Sequence, residues 1–276
     1  MSGIIEVTNL SFGYAPGSPI LKNISFEVPP GTFLVIAGPN GAGKSTLLNL
    51  ICRALKPQSG VIMLDASPIE TYSAEAIAAK VAVVRQESVP TFGFSVIETV
   101  LMARTPYFSA AGFESQADRT IVNDALELTD TARFALRPLT NLSSGERQRV
   151  FIARALAQDS PVLLLDEPMS FLDLRHQVDI YDLLKTAQIE KGKTIVAVTH
   201  DINLAAQYGD EALLLGMDGS FQHGPTSKVF SAEHIKNVFN VQVFAGNIGR
   251  ERFFIPLGKL AKDRRQINTG PNDNNA

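Results

Sequence analysis

A single cysteine, Cys52, stands among 276 residues, so no internal disulfide can form and the fold must rest on packing alone. Long apolar runs are missing as well. Stretches such as 161–165 and 212–215 fall far short of the roughly 20 apolar residues that span a bilayer. Residues 1–7 offer no basic flank leading into an apolar segment, so no signal peptide is expected and a reducing cytoplasm is the implied setting. Any membrane role must pass through partners. Excess charge of one sign is also lacking: a formal charge of −3 gives no electrostatic footprint for a nucleic-acid backbone, and no nucleic acid is expected as a ligand. Basic residues gather only late, at Arg250, Arg252, Lys259, Lys262, Arg264 and Arg265, and read as a solvated tail. The four histidines, His176, His200, His223 and His234, lack metal-ligand spacing, and no Gly-x-Ser-x-Gly elbow supports acyl chemistry.

What is present is a 45% apolar composition, enough to bury a full core. Short alternating runs at 4–7 and 24–28 read as strands, with Tyr14-Ala15-Pro16-Gly17 as turn material between them. Residues 32–37 form a compact apolar strand that ends in a glycine-rich loop. Leu47, Leu48, Ile51 and Leu55 then repeat at helical spacing as far as Pro57, with Cys52 on that helix as a small buried hydrophobe. After a strand at 81–84, helical spacing dominates from about 96 to 157 and no strand is expected there. Strands return at 162–165, 194–198 and 212–215 with helices between them, the pattern of a largely parallel sheet covered on both faces. The Asn-, Asp-, Gly- and Pro-rich stretch 268–276 cannot bury apolar surface and is expected to be disordered.

Gly38-Pro39-Asn40-Gly41-Ala42-Gly43-Lys44-Ser45, followed by Thr46, fits the phosphate-loop pattern between a predicted strand and a predicted helix. Glycines let successive N–H groups and the helix N-terminus face phosphate oxygens. Lys44 can then reach the β- and γ-phosphates of ATP while the Ser45 hydroxyl ligates Mg²⁺. Asp166 and Glu167 end the buried strand at 162–165. Neighbouring side chains at a strand end diverge, so Asp166 can hold Mg²⁺ while Glu167 polarises the attacking water as general base. Leu142-Ser143-Ser144-Gly145-Glu146-Arg147-Gln148 opens a helix, and Ser143 three residues before Glu146 is also a capping box.

That segment, lying between the phosphate loop and Asp166, resembles the signature motif of the ATP-binding-cassette (ABC) ATPases. The resemblance extends to about Phe254 and is nearest to the importer branch for iron–siderophore complexes, haem and cobalamin, carried by Ala103-Arg104-Thr105-Pro106-Tyr107 and Thr199-His200-Asp201-Ile202-Asn203-Leu204-Ala205-Ala206. Molybdate importers share much of this texture. The resemblance implies an α/β fold: a P-loop NTPase (RecA-like) core at 1–89 and 159–225, with an N-terminal antiparallel β subdomain. It also implies an inserted α-helical subdomain at 90–158 and a C-terminal segment at 226–255, and 256–276 reads as a flexible tail. Ser143 and Gly145 would face the γ-phosphate held by a second copy, and Asp173 would align the two sites of that homodimer. Gln86 would sense Mg²⁺ and the attacking water, His200 would contact the γ-phosphate, and Tyr14 would stack on adenine. Integral membrane permease subunits and a separate substrate-binding protein are the implied partners, with this chain peripheral on the cytoplasmic face. Phe92, Phe94, Met102 and Tyr107 are candidate anchors for the permease. Ser144, Arg85, Met169 and Phe171 depart from the commoner residues of the pattern. A soluble ABC ATPase without a transport role shares every nucleotide motif and is the rival reading.

Overall fold

The computed structural model describes residues 3–15, 17–85, 93–108, 113–170, 172–249 and 251–258. Gln86, Phe92, Phe171, Arg250, Lys259, Lys262, Arg264, Arg265 and the stretch 268–276 lie outside them.

Strands β1 (Ile5–Phe12) and β2 (Leu21–Val28) pair antiparallel and turn Ile5, Val7, Leu10 and Phe12 inward. β1 runs five residues beyond the expected end at Val7, because Asn9 takes φ 50° within the register shift between Val7 and Leu10 and lets the ladder resume. β3 (Phe33–Ala37) is buried throughout, as a strand covered on both faces must be. Helix α1 (Lys44–Ile51) follows the glycine-rich loop. It stops short of the expected Pro57, since Cys52 caps it, Arg53 adopts φ 59°, and Leu55 N–H returns to the Asn49 carbonyl at 3.0 Å. Cys52 is half-buried rather than fully enclosed. β4 (Ser59–Leu64) and β5 (Ser67–Pro68) complete a four-stranded antiparallel sheet in the order β2-β1-β4-β5.

Helix α2 (Ala74–Lys80) leads into β6 (Val81–Val84). Helices α3 (Val96–Leu101), α4 (Gln116–Leu128) and α5 (Ser144–Ala157) come next, with a 3-10 turn over Met102–Tyr107, and among the described residues 96–157 carry no strand. The buried Arg104 guanidinium rivets this region. It donates to Asp118 Oδ1 at 2.9 Å and to the Ala157 carbonyl at 3.1 Å, and lies 4.0 Å from the Tyr107 ring centre. Ser115 hydrogen bonds and then Arg104 hold the Asp118 carboxyl down at about 2.

The chain then returns to the central sheet through β7 (Val162–Asp166), α6 (Leu174–Lys191), β8 (Thr194–Val198), α7 (Ile202–Tyr208), β9 (Glu211–Leu215) and β10 (Phe221–Pro225). The six-stranded order is β10-β9-β3-β8-β7-β6, parallel except for the β10 edge. Alternation along the strands divides two cores. Phe33, Val35, Leu163 and Leu165 pack with the helices, whereas Leu34, Ile36, Val162 and Leu164 pack with α1 and the antiparallel sheet. The expected layering is therefore present. Helices α8 (Thr226–Val229) and α9 (Ala232–Phe239) precede a hairpin of β11 (Gln242–Ile248) and β12 (Glu251–Leu257), two strands that the sequence does not announce. β12 runs two residues past 255.

Candidate functional site

In the parallel sheet Ile36, Val198 and Asp166 stand side by side in register. The segments that follow β3, β8 and β7 therefore leave the sheet along one edge, the carboxyl edge at which open α/β sheets bind ligands. These segments carry the glycine-rich loop, His200 and Glu167.

The loop is shaped by its glycines. Gly38 has φ 153° and a side chain there would meet the Leu215 carbonyl oxygen at 2.4 Å; Gly43 has φ 93° and would press on Leu21 at 2.6 Å. Gly43 leaves the first turn of α1 without a side-chain cap, so its N–H groups are free to meet an anion. Lys44 is only 5% exposed and donates to the carbonyls of Gly38 at 2.8 Å and Pro39 at 3.0 Å. Burial lowers its pKa, and the nearby Glu167 and Asp166 carboxylates oppose that shift. An incoming polyphosphate would supply the charge compensation that two carbonyls only partly give.

Asp166 closes β7, and its Oδ1 accepts the Ser45 hydroxyl at 2.8 Å. Burial raises the Asp166 pKa, against the Ser45 hydrogen bond that lowers it. A hydroxyl and a carboxylate this close, both oxygen donors, fit a shared Mg²⁺ that keeps most of its shell for water and phosphate. Among the described residues no cluster of three His, Cys, Asp or Glu forms an all-protein metal cage.

The backbone breaks direction at Glu167, which takes φ 49°, a strained value for a side-chain-bearing residue. The turn sends Glu167 away from Asp166. Its Oε2 accepts the Ser170 hydroxyl at 3.0 Å, and its Oε1 is hydrogen-bonded to His200 Nε2. Ser170 thus joins the site, although the sequence marks it only as the start of the segment leading to Asp173. Tyr14 is 65% exposed, packs edge-on against Phe12 with centroids 5.1 Å apart, and reaches the Thr46 hydroxyl at 3.2 Å. That contact fixes its ring beside the start of α1.

A second cluster forms elsewhere. Ser143 caps α5 through a complete capping box with Glu146, and Asp173 caps α6 by accepting the His176 N–H at 2.9 Å. His176 Nδ1 also lies 2.7 Å from Asp173 Oδ1, and a side chain on Gly145 would sit 3.0 Å from the His176 ring. His176 therefore joins Gly145 to Asp173, a role that scattered histidines in a sequence do not reveal. Hydrogen bonds from His176 keep the Asp173 carboxyl ionised below its ordinary range. Ser144 is exposed on the first turn of α5, where a hydroxymethyl group meets no packing limit. Among the described residues no hydrogen bond or ion pair joins this cluster to the glycine-rich loop. The structure thus gathers Tyr14, residues 38–46, Asp166, Glu167 and His200 at one edge and Ser143, Gly145 and Asp173 at another face, while Gln86 lies outside the described residues.

The chain matches the family model of the ABC transporter over residues 21–170, more than half its length. It is 40% identical over 266 residues to the achromobactin transport ATP-binding protein of Dickeya dadantii, covering 95% of this chain and 97% of that one. It is also 40% identical to the hemin import ATP-binding protein of Streptomyces coelicolor, over 83% of this chain and 81% of the relative. Among solved structures, a metal-chelate type ABC transporter in an inward-facing conformation superposes with a TM-score of 0.82 at 30% identity, over 93% of this chain and 98% of that chain. With the glycine-rich loop, the carboxylate-terminated strand and the helix-capping serine all formed in their expected order, this chain belongs to the ABC transporter family as one of its ATP-binding, ATP-hydrolysing cassettes.

Proposed function

We propose that this chain energises the import of a metal chelate, an iron–siderophore complex, haem or cobalamin, with molybdate as a further candidate, through separate membrane subunits. The observation that carries the hydrolytic part is Glu167 held between Ser170 and His200, one residue past the Asp166 that takes the Ser45 hydroxyl. The chelate cargo is supported by what the two relatives are named for, achromobactin transport and hemin import.

In this reading residues 38–46 wrap the phosphates and Lys44 turns from the Gly38 and Pro39 carbonyls to the β- and γ-oxygens. Ser45, Asp166 and Gln86 would hold Mg²⁺, and the chemistry it would supply there is charge neutralisation at the phosphates. Glu167 orients the attacking water and takes its proton, and His200 donates to the γ-phosphate. Tyr14 offers its ring to adenine. The first turn of α5, with Ser143 and Ser144 exposed and Gly145 buried behind them, closes on the nucleotide of a second copy, with Asp173 aligning the two halves, so the working unit is a homodimer.

The domain division at 90–158, 226–255 and 256–276 belongs to the same proposal, as do a peripheral position on the cytoplasmic face and a separate substrate-binding protein. Among the described residues no helix is long and apolar enough to cross a membrane. Phe94, Met102 and Tyr107 are 43%, 42% and 42% exposed, which favours a docking surface for a permease over a role in the subdomain's own core. Deleting the gene and measuring uptake of labelled ferric siderophore, haem, cobalamin and molybdate tests the assignment. Loss of one uptake, restored by the wild-type chain and not by Lys44→Ala, is the expected result; undiminished uptake of all four would overturn it.

A further inference from the structure

His200 stands in a short loop between β8 and α7, and that loop is tied down at several points. Thr199 N–H donates to the Ile36 carbonyl at 3.1 Å, and the Thr199 hydroxyl accepts the Asp201 N–H at 3.1 Å. Asp201 caps α7 by accepting the N–H groups of Asn203 at 2.8 Å and Leu204 at 2.9 Å. These bonds are local: Thr199 holds the β8 end of the loop, and Asp201 joins the loop to the first turn of α7 without anchoring that helix to the rest of the protein. The opposite side borders a cleft of about 540 Å³ that runs from Glu167, Ser170 and His200 to Phe254 and Pro256.

Asn203 spans that cleft. Its side-chain amide donates from Nδ2 to the Phe254 carbonyl at 3.3 Å and accepts the Phe254 N–H on Oδ1 at 2.7 Å. The amide thereby completes both backbone groups of one β12 residue, as a neighbouring strand would. Asn203 is exposed, a position on the first turn of a helix that any polar side chain could fill, yet here both ends of the amide are engaged across 51 residues of sequence. The far anchor is firm without it. Phe254 is 4% exposed and meets Phe230 edge-on at 6.5 Å, and Arg252 donates to the Ser227 carbonyl at 2.8 Å.

We propose that Asn203 is a positioning residue for hydrolysis: by clasping the Phe254 backbone it fixes the start of α7, and with it the His200 imidazole, against the C-terminal hairpin. The inference rests on reading His200 as the γ-phosphate contact. It gives the hairpin, which touches no nucleotide motif through the described hydrogen bonds, a part in setting the rate.

The test uses the full chain as Asn203→Ala and Asn203→Asp, with ATP turnover measured across ATP concentration and the histidine ring resonances followed by NMR. Loosening His200 should lower kcat roughly ten- to a hundredfold, as for a misplaced reacting group, and leave KM for ATP within about twofold. The His200 resonance should move while those of His223 and His234 stay. Asn203→Asp keeps the acceptor for the Phe254 N–H and loses the donor, so its kcat should fall between wild type and Asn203→Ala. Wild-type kcat in Asn203→Ala overturns the proposal, and so does a loss of kcat with the His200 resonance unmoved, which would mark a merely structural role. If Lys44→Ala and Glu167→Gln also keep full turnover, the site reading itself has failed; if only Asn203→Ala does, the clasp alone has.

Discussion

Glu167 and His200 are hydrogen-bonded to one another across the ends of two adjacent parallel strands, a carboxylate oxygen of the first against Nε2 of the second. His200 must give up this bond for its Nε2 to meet a phosphate, whereas the Glu167 carboxylate keeps lone pairs for a water. Glu167 retains the Ser170 hydroxyl when His200 turns away, so the proposed base stays oriented through the exchange.

Replacing Glu167 by Gln keeps the size and removes the base. Turnover should fall roughly 10²- to 10⁴-fold, and size-exclusion chromatography with ATP should reveal a dimer that wild type forms only transiently. A strict monomer in every nucleotide condition would contradict the paired-site reading.

Lys44→Ala removes the ammonium that burial and two carbonyls hold over the loop. Hydrolysis should drop by at least about a hundredfold, the usual consequence of losing a positioned charge at a phosphate. Because the lysine is costly to bury, thermal unfolding should be unchanged or slightly delayed in the nucleotide-free protein.

Two glycines at positive φ separate crowding from strain. Gly38→Ala forces a carbon to 2.4 Å from a carbonyl oxygen and should cost about 3 kcal/mol or more, with nucleotide binding lost. Gly249→Ala, at φ 62° with open space around it, should cost only about 1–2 kcal/mol and leave hydrolysis intact. Chemical denaturation of the two variants makes the comparison, and equal losses would refute it.

The hydrogen bonds of Ser115, and then of Arg104, to Asp118 set an acid limit. The Asp118 pKa is depressed from 3.8 to about 2, so its contribution to stability is complete above 3.8 and disappears as pH falls toward 2. Asp118→Asn should lower the urea midpoint at neutral pH and flatten its fall across that window. A wild-type slope in the variant would assign the acid sensitivity elsewhere.

Met102→Glu and Phe94→Glu charge the exposed apolar face of the helical segment. ATP binding by the purified chain should survive while permease association and cargo uptake fail. Uptake at the wild-type rate in both variants would move the docking surface elsewhere and strengthen the case for a cassette without a transport role.

The sequence discloses what is local. Strand, glycine loop and helix follow one another within residues 33–51, and the continuous burial of β3 and β7 follows from their unbroken runs of apolar residues. Partnerships over long separations stay hidden: Glu167 meets His200 33 residues away, and Asn203 meets Phe254 51 residues away, through chain reversals that no spacing encodes. The late strands escape for another reason. β10 contains Gly224 and Pro225, β12 contains Pro256, and the β11–β12 hairpin exposes Phe244, Ile248 and Ile255, so neither the period nor the composition marks them as strands. The helix after the phosphate loop was legible in type and overlong in extent, since Arg53 reaches a left-handed conformation that periodicity cannot foresee.

Helices α2 to α7 and α9 each begin with a serine or aspartate that folds back onto its own first turn. Helix α1 begins with Gly43 and has no such closure. In the proposed reading its acceptor arrives from solution as a phosphate, so this segment is finished only when fuel is aboard. The resistance of the cassette to heat should therefore rise with the nucleotide supply of the cell, and a starved cell would hold a softer protein than a fed one.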